Sequence, residues 1–213
     1  MRVGTLGAIV VLCGGLMGAQ GSCGGSSGPS TVIEQGKGGA AAQCDPKTYP
    51  CGPYGTQVGS VIQNLSFPGR VNATAPVTTI SLSDFYQNKK IQALAISATA
   101  WWCPPCNDEQ PPAEKLYQGY QAEGDGVAFL EASIQKTDGS PADMTSTDAW
   151  RAKYNLTFDL VCDPTNVLQP YYNINAFPMN MVVRTSDMRI VWQFNGEDMA
   201  GLKNAIDQVL ANP

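Results

Sequence analysis

From residue 58 onward the spacing of apolar positions switches between strand and helix periods, and each switch marks an element. Ile62 to Phe67 and Val77 to Ile80 are short apolar runs that predict strands, and Leu82 to Tyr86 predicts a helical turn after Ser81 and Ser83. Ile91 to Thr99, IQALAISAT, is a nearly continuous apolar run, as expected of a strand buried on both faces. Beyond it Ala113, Leu116, Tyr117 and Tyr120 keep helical spacing until Gly124 stops them. Val127 to Ile134 predicts a second buried strand. Thr147 can cap a helix carrying Ala149, Trp150, Lys153 and Tyr154, and Leu160 to Cys162 is a short strand before Asp163-Pro164. Met181 to Val183 and Arg189 to Phe194 form a hairpin across Thr185-Ser186-Asp187. A final helix, about Met199 to Leu210, places Leu202, Ala205, Ile206 and Val209 on one face. Strands alternating with helices and ending in hairpin then helix predict an α/β domain, a central mixed β-sheet flanked by helices.

The first 57 residues are patterned differently. Residues 1–22 open with Met1-Arg2, run apolar from Val3 to Met17 and close on Gly18-Ala19-Gln20-Gly21-Ser22, the order of a secretory signal peptide. The apolar run falls short of the roughly 20 residues a bilayer needs. Cys13 lies inside this run and is expected to leave with the signal. Cys23 follows small residues and opens Gly24-Gly25-Ser26-Ser27-Gly28, which resembles a bacterial lipoprotein site, so lipidation at Cys23 and a membrane anchor are expected; the alternative is ordinary cleavage near Ala19 to Gly21. Residues 23–43, rich in Gly, Ser and Ala, predict a flexible linker. Residues 44–57 form a Cys- and Pro-rich entry loop in which Cys44 and Cys51 most simply close a structural disulfide, two unpaired thiols being the alternative. The domain proper is 58–213. The expected location is the bacterial cell envelope, facing the periplasm.

Composition narrows the chemistry. Of 213 residues 43% are hydrophobic and 15% charged, which fits one globular domain rather than a disordered or coiled-coil chain. A net charge of -5 without a basic run disfavours nucleic acid as a partner. Seven Cys and no His exclude His-based triads, zinc-protease motifs and His-ligated haem or copper, leaving thiols and carboxylates to carry any catalysis.

Cys103-Pro104-Pro105-Cys106 stands at the junction of the buried strand and the helix after it. At a helix N-terminus, free backbone N–H groups and the positive end of the macrodipole stabilise a thiolate, which makes Cys103 the attacking sulfur. Cys106, three residues on, can reach back to resolve a mixed disulfide. Prolines suit a helix start because their missing N–H has no partner there. Two plainer readings compete. A zinc site would need two more ligands from Cys44, Cys51, Cys162 or carboxylates, with no second C-x-x-C to supply them, and a purely structural bridge would not explain the strand-to-helix placement or the adjoining tryptophans.

These residues carry a family resemblance. From about Val58 to Leu210 the chain resembles the thioredoxin-like fold, and within it the membrane-anchored thiol-disulfide oxidoreductases of the TlpA/ResA/CcmG kind. Trp102-Cys103-Pro104-Pro105-Cys106 is similar to that family's active site, and Glu109 and Pro111 to its C-x-x-E-x-P continuation. SLSDFY (Ser81 to Tyr86) is similar to the element before the first central strand, Phe177-Pro178 to the segment with the cis-proline facing the disulfide, and Thr147 to Asp163 to the inserted helix-strand segment. The resemblance implies a redox-active Cys103-Cys106 disulfide with no other cofactor and no metal. It also implies cysteine-containing protein substrates, apocytochromes awaiting haem among the candidates, and a membrane or periplasmic thiol electron donor or acceptor. Glu109 would pass the resolving proton, a role a partly buried carboxyl beside a thiol also suits, against the plainer reading of a solvated first-turn glutamate. Trp101, Trp102, Pro104, Pro105, Phe177 and Pro178 would form the substrate-binding surface, and Pro111 would bend the helix. The sequence departs from the family at Met179-Asn180, where Thr commonly follows the proline, and at Asn107, where a basic residue is common. Cys162 reads as a buried structural thiol or a pairing cysteine.

Two other classes remain. A thiol peroxidase shares the fold, but its Pro-x-x-x-Thr-x-x-Cys pattern is missing: Ile96 stands at the proline position and Thr99 is displaced by one. A non-enzymatic binding module would keep the disulfide only as a staple.

Overall fold

The computed structural model describes residues 45–213 apart from 125. The signal segment, Cys13, Cys23, the linker and Cys44 lie outside the described residues.

The long apolar run becomes the central strand. β3 (Ala93–Ala100) is buried along almost its whole length and pairs in parallel with β4 (Val127–Gln135), the second buried run, and antiparallel with β6 (Met179–Arg184). Outward on one side come β5 (Asp159–Cys162), parallel to β4, then β1 (Ser66–Arg70) and β2 (Thr78–Ser81), both antiparallel. On the other side β7 (Arg189–Asn195) closes the sheet against β6, giving the order β2-β1-β5-β4-β3-β6-β7. This is a mixed-sheet, thioredoxin-like α/β fold, and strands β3 and β4 read as continuous apolar runs because both of their faces are covered.

The two faces are covered by different material. One buries Ala95, Phe129, Phe158, Leu160 and Val182 beneath side chains from α1 (Pro104–Glu123), α2 (Met144–Tyr154) and α3 (Met199–Ala211), among them Tyr120, Trp150, Leu202 and Ile206. The other buries Leu94, Ile96, Leu130, Met179 and Met181 beneath Tyr49, Ile62, Leu65, Leu82, Leu168 and Tyr171, which come from loops and two short 3-10 turns. Burying a side chain such as Trp150 or Ile96 completely is worth about 1.5–3 kcal/mol, so both layers stabilise the sheet.

Three local outcomes differ from the sequence reading. The first strand begins at Ser66, not Ile62: Ile62 and Leu65 are buried, but their backbones bond to Met188 and Leu82 in the layer beneath the sheet. The strand then continues through Pro68-Gly69. Gly69 permits this, because a Cβ there would lie 2.4 Å from Val161 Cγ1 and 2.6 Å from the Leu160 carbonyl. The helix expected after Thr147 starts one turn earlier. Asp143 caps it by accepting from Ser146 N at 2.8 Å while Ser146 Oγ accepts from Asp143 N, and Thr147 lies inside, its hydroxyl donating to the Asp143 carbonyl. Pro111 and Pro112 both stand inside α1, which continues to its αL cap at Gly124. Lacking N–H groups, they leave the Asn107 and Asp108 carbonyls without their usual helical donors.

Candidate active site

Cys103 is the N-cap of α1, at the C-terminal end of β3, with Pro104 and Pro105 as the first helical residues. Its sulfur accepts the backbone N–H of Cys106 at 3.1 Å and is bonded to Cys106 Sγ, with Cα atoms 5.3 Å apart. The capping geometry expected to favour a thiolate is therefore present, with a helix N–H aimed at that sulfur. Cys103 is 2% exposed and Cys106 fully buried, so Cys103 is the more accessible of the two.

The rim of the disulfide is aromatic. Phe177 packs on Cys103, Cys106 and Ala100, and meets Trp102 edge-on at 5.8 Å and Tyr172 at 4.9 Å. The Phe177–Pro178 peptide is cis and precedes β6. Trp102 is 44% exposed and donates to Gln135 Oε1 at 2.9 Å, and Pro104 and Pro105 are exposed beside it. Trp101 instead turns inward, edge-on to Trp150 at 4.9 Å. Of the six residues assigned to a binding surface, Trp102, Pro104, Pro105 and the half-buried Phe177 face the rim, whereas Pro178 is buried.

Asn107 joins three elements below this rim. Its amide donates to the carbonyls of Cys103 (2.7 Å) and Trp101 (3.2 Å), and its oxygen accepts from Lys153 Nζ (2.8 Å) and Tyr154 OH (2.5 Å) on α2. Lys153 also lies 5.3 Å from the Trp101 ring centre. A positive charge is thus brought to Asn107 and Trp101 by Lys153 of α2.

Beneath the disulfide the buried face of α1 runs Cys106, Glu109, Gln110, Ala113, at the spacing of one helix stripe. Glu109 is 2% exposed, and both of its oxygens accept from Asn180 Nδ2, at 3.0 and 2.9 Å. Burial pushes its pKa up to about 8; the Asn180 bonds pull it down, and the negative charges of Glu131 and Glu197 push it up further. Gln110 donates to the Cys106 carbonyl at 3.0 Å. Glu131, on β4, is a second buried carboxyl, accepting from Trp150 Nε1 (2.6 Å), Thr99 Oγ1 (3.3 Å) and Ser97 Oγ (3.4 Å). Burial raises its pKa to about 7 against these hydrogen bonds and one from Gln110. The strand register explains the gathering: Asn180, Ser97 and Glu131 are direct cross-strand neighbours on β6, β3 and β4, one polar row beneath α1.

Sequence reasoning singled out Cys103, Cys106 and Glu109, which share this helix, but passed over Glu131 and read Asn180 only as a departure. A lone charge in the run VAFLEASIQ was the available signal for Glu131, since a residue in a doubly buried strand must find partners. Cys162 is a free, buried thiol whose pKa burial raises. Cys51 is disulfide-bonded, while Cys44, its expected partner, lies outside the described residues.

Residues 58–188 match the AhpC/TSA family. The chain belongs to the AhpC/TSA family. The chain is 27% identical over 97 residues to the thioredoxin-like protein YneN of Bacillus subtilis, covering 46% of this chain and 53% of YneN. It is 25% identical over 107 residues to the thiol-disulfide oxidoreductase ResA of Oceanobacillus iheyensis, covering 50% of each. The chain thus spans about half the length of the curated relatives it matches. Among solved structures, the thioredoxin domain of a thiol-disulfide oxidoreductase from Bacteroides vulgatus superposes with a TM-score of 0.55 at 18% identity, over 73% of this chain and 99% of that one. A 2-Cys peroxiredoxin from Plasmodium vivax superposes with a TM-score of 0.58 at 13% identity, over 72% and 96%. At these identities the superpositions establish the fold of this AhpC/TSA member.

Proposed function

We propose that this AhpC/TSA member is an exported thiol-disulfide oxidoreductase that exchanges disulfides with protein substrates. The observation carrying this reading is the Cys103–Cys106 bridge at the cap of α1, its outer sulfur accepting a helix N–H beneath an aromatic rim. In the reducing direction the Cys103 thiolate attacks one sulfur of a substrate disulfide, whose other sulfur leaves as a thiolate and takes a proton from water. Cys106 then gives its proton to the Glu109 carboxylate and attacks Cys103 Sγ, expelling the second substrate thiolate, which is protonated by water. Two electrons pass from the Cys103–Cys106 dithiol to the substrate, and the reverse sequence oxidises a substrate dithiol. Substrates are extended, cysteine-bearing segments that settle on Trp102, Pro104, Pro105 and Phe177. The signal-like start and Cys23 support export and a lipid tether to the cell envelope, with a thiol carrier there to complete the redox cycle.

Trapping tests the reading: Cys106→Ser should accumulate mixed disulfides with partner proteins, and Cys103→Ser should not. Equal trapping by both, or by neither, overturns the assigned roles. Rapid peroxide turnover by Cys106→Ser would instead establish a thiol peroxidase. An acyl group on Cys23, sought by mass spectrometry of the mature protein, decides the tether.

A further inference from the structure

Glu109 and Glu131 come from different elements, yet both line one small internal cavity of about 10 Å³, together with Ser97, Asn180, Phe158 and Leu202. That volume is at the lower limit for a single water molecule. The carboxyls are 2% and 4% exposed, and among the described residues neither forms an ion pair. Their partners are neutral donors: Asn180 for Glu109; Trp150, Thr99 and Ser97 for Glu131. The charged groups acting on the pair come from two sides. Glu197, ahead of α3, adds negative charge at Glu109. Arg151 on α2 feels Glu131, but its guanidinium is committed to the carbonyls of Leu156, Phe158 and Arg70. Two carboxyls buried against one small cavity cannot both ionise cheaply, and the favoured state holds one proton between them.

We propose that Glu131 and Glu109 share a single proton across this cavity, and that Glu131 is thereby a positioning residue that sets when Glu109 can accept the proton of Cys106. The proposal rests on the oxidoreductase reading and adds a group to its resolving step. When Glu131 is ionised, Glu109 holds its proton more tightly and is a poorer acceptor. When the shared proton lies on Glu131, Glu109 is a carboxylate and can take the Cys106 proton as the sulfur attacks Cys103. The proton then moves to water as the pair resets, so the cycle consumes nothing beyond the dithiol and the substrate disulfide. The motif residue Glu109 is thus given its working range by a carboxyl from the neighbouring strand.

The test is a carbon-13 carboxyl titration of the full chain with its disulfide formed, labelled at glutamate. In the unaltered protein Glu109 and Glu131 should titrate in two coupled steps, each visible at both sites. In Glu131→Gln, which keeps the side-chain volume and an oxygen for Trp150, the Glu109 step should move to lower pH by about one unit. The pH profile for resolution of the mixed disulfide should move the same way. Independent single-step curves in the unaltered protein overturn the proposal whether or not the variant folds. A folded Glu131→Gln whose resolution slows without any displacement of the profile overturns it too, since that is the mark of a purely structural residue. Insulin reduction by the unaltered protein reports separately on the oxidoreductase reading: its failure sinks that reading and leaves the carboxyl titration to be judged alone.

Discussion

Asn180 on β6 donates its side-chain amide to both carboxylate oxygens of Glu109 on α1, at 3.0 and 2.9 Å, in a site where neither residue is exposed by more than 2%. A strand residue thus holds the helix carboxyl in place from across the polar row. These bonds favour the ionised carboxyl against its burial. Asn180→Ala should raise the Glu109 pKa further above its present value of about 8 and move the pH profile for mixed-disulfide resolution upward. Stopped-flow resolution rates across pH 6 to about 10 give the readout, a range set by the reactive thiols and carboxyl; an unmoved profile would show that Glu109 takes no part in the step.

The buried carboxyls also fix how stability depends on pH. Glu109 is held up to about 8, and Glu131 and Asp159 to about 7, in each case chiefly by burial. A carboxyl whose pKa is raised on folding binds its proton more tightly in the folded state, so it lowers stability progressively as pH rises from its unfolded value, near 4, through its folded value. Asp143, held down to about 2 by Lys136 and the Ser146 N–H, acts in the opposite sense and loses its contribution only in acid. The disulfide form should therefore be most stable near pH 4–5 and melt lower at pH 8.5, with about 2–4 °C lost per kcal/mol. Glu109→Gln should flatten that slope. Calorimetric melting temperatures that rise from pH 5 to 8.5 would contradict the raised values.

The elements best read from sequence were those whose pattern has one cause. The apolar run of β3 and the Leu202, Ala205, Ile206, Val209 stripe of α3 each follow from burial on a fixed period, and both stand where expected. The beginning of α2 was misplaced because more than one residue near it can cap a helix, and the reciprocal Asp143–Ser146 box wins over Thr147. Ile62 and Leu65 were taken for strand because burial alone does not say whether a backbone pairs in the sheet or packs beneath it. At the site, Cys103 and Glu109 were legible because they share one helix. The row Asn180–Ser97–Glu131 depends on the register of three strands far apart in sequence, which no local pattern encodes.

Asn107 should prove as sensitive as the cysteines it supports. Asn107→Asp keeps an acceptor for Lys153 and Tyr154 but loses the donors to the Cys103 and Trp101 carbonyls and places a negative charge in the first turn of α1. A negative charge there disfavours a thiolate, so the pH at which reduced Cys103 is half alkylated should rise. Asn107→Ala loses both sets of bonds and should destabilise the protein by about 1–3 kcal/mol. Iodoacetamide kinetics against pH separate the two effects. If neither the alkylation profile of Asn107→Asp nor the melting temperature of Asn107→Ala changes, the junction between α1 and α2 has no part in tuning the thiol.

The last expectation concerns an element remote from the cysteines. β1 joins the sheet through β5, three strands from β3, and its fit depends on Gly69 lying against Leu160 and Val161. Any side chain at position 69 meets backbone at 2.6 Å as well as a packed methyl at 2.4 Å, and the backbone contact cannot be relieved by a rotamer change. Gly69→Val should therefore lower stability by about 1–3 kcal/mol, by forcing β1 and its partner β2 away from β5. Because β3, α1 and the polar row are held by the other strands, insulin reduction at 25 °C should be unchanged while the melting temperature falls. A variant as stable as the parent would mean that β1 does not pack against β5 in solution, and loss of activity without loss of stability would mean that this edge of the sheet reaches the site by a route other than the strands between them.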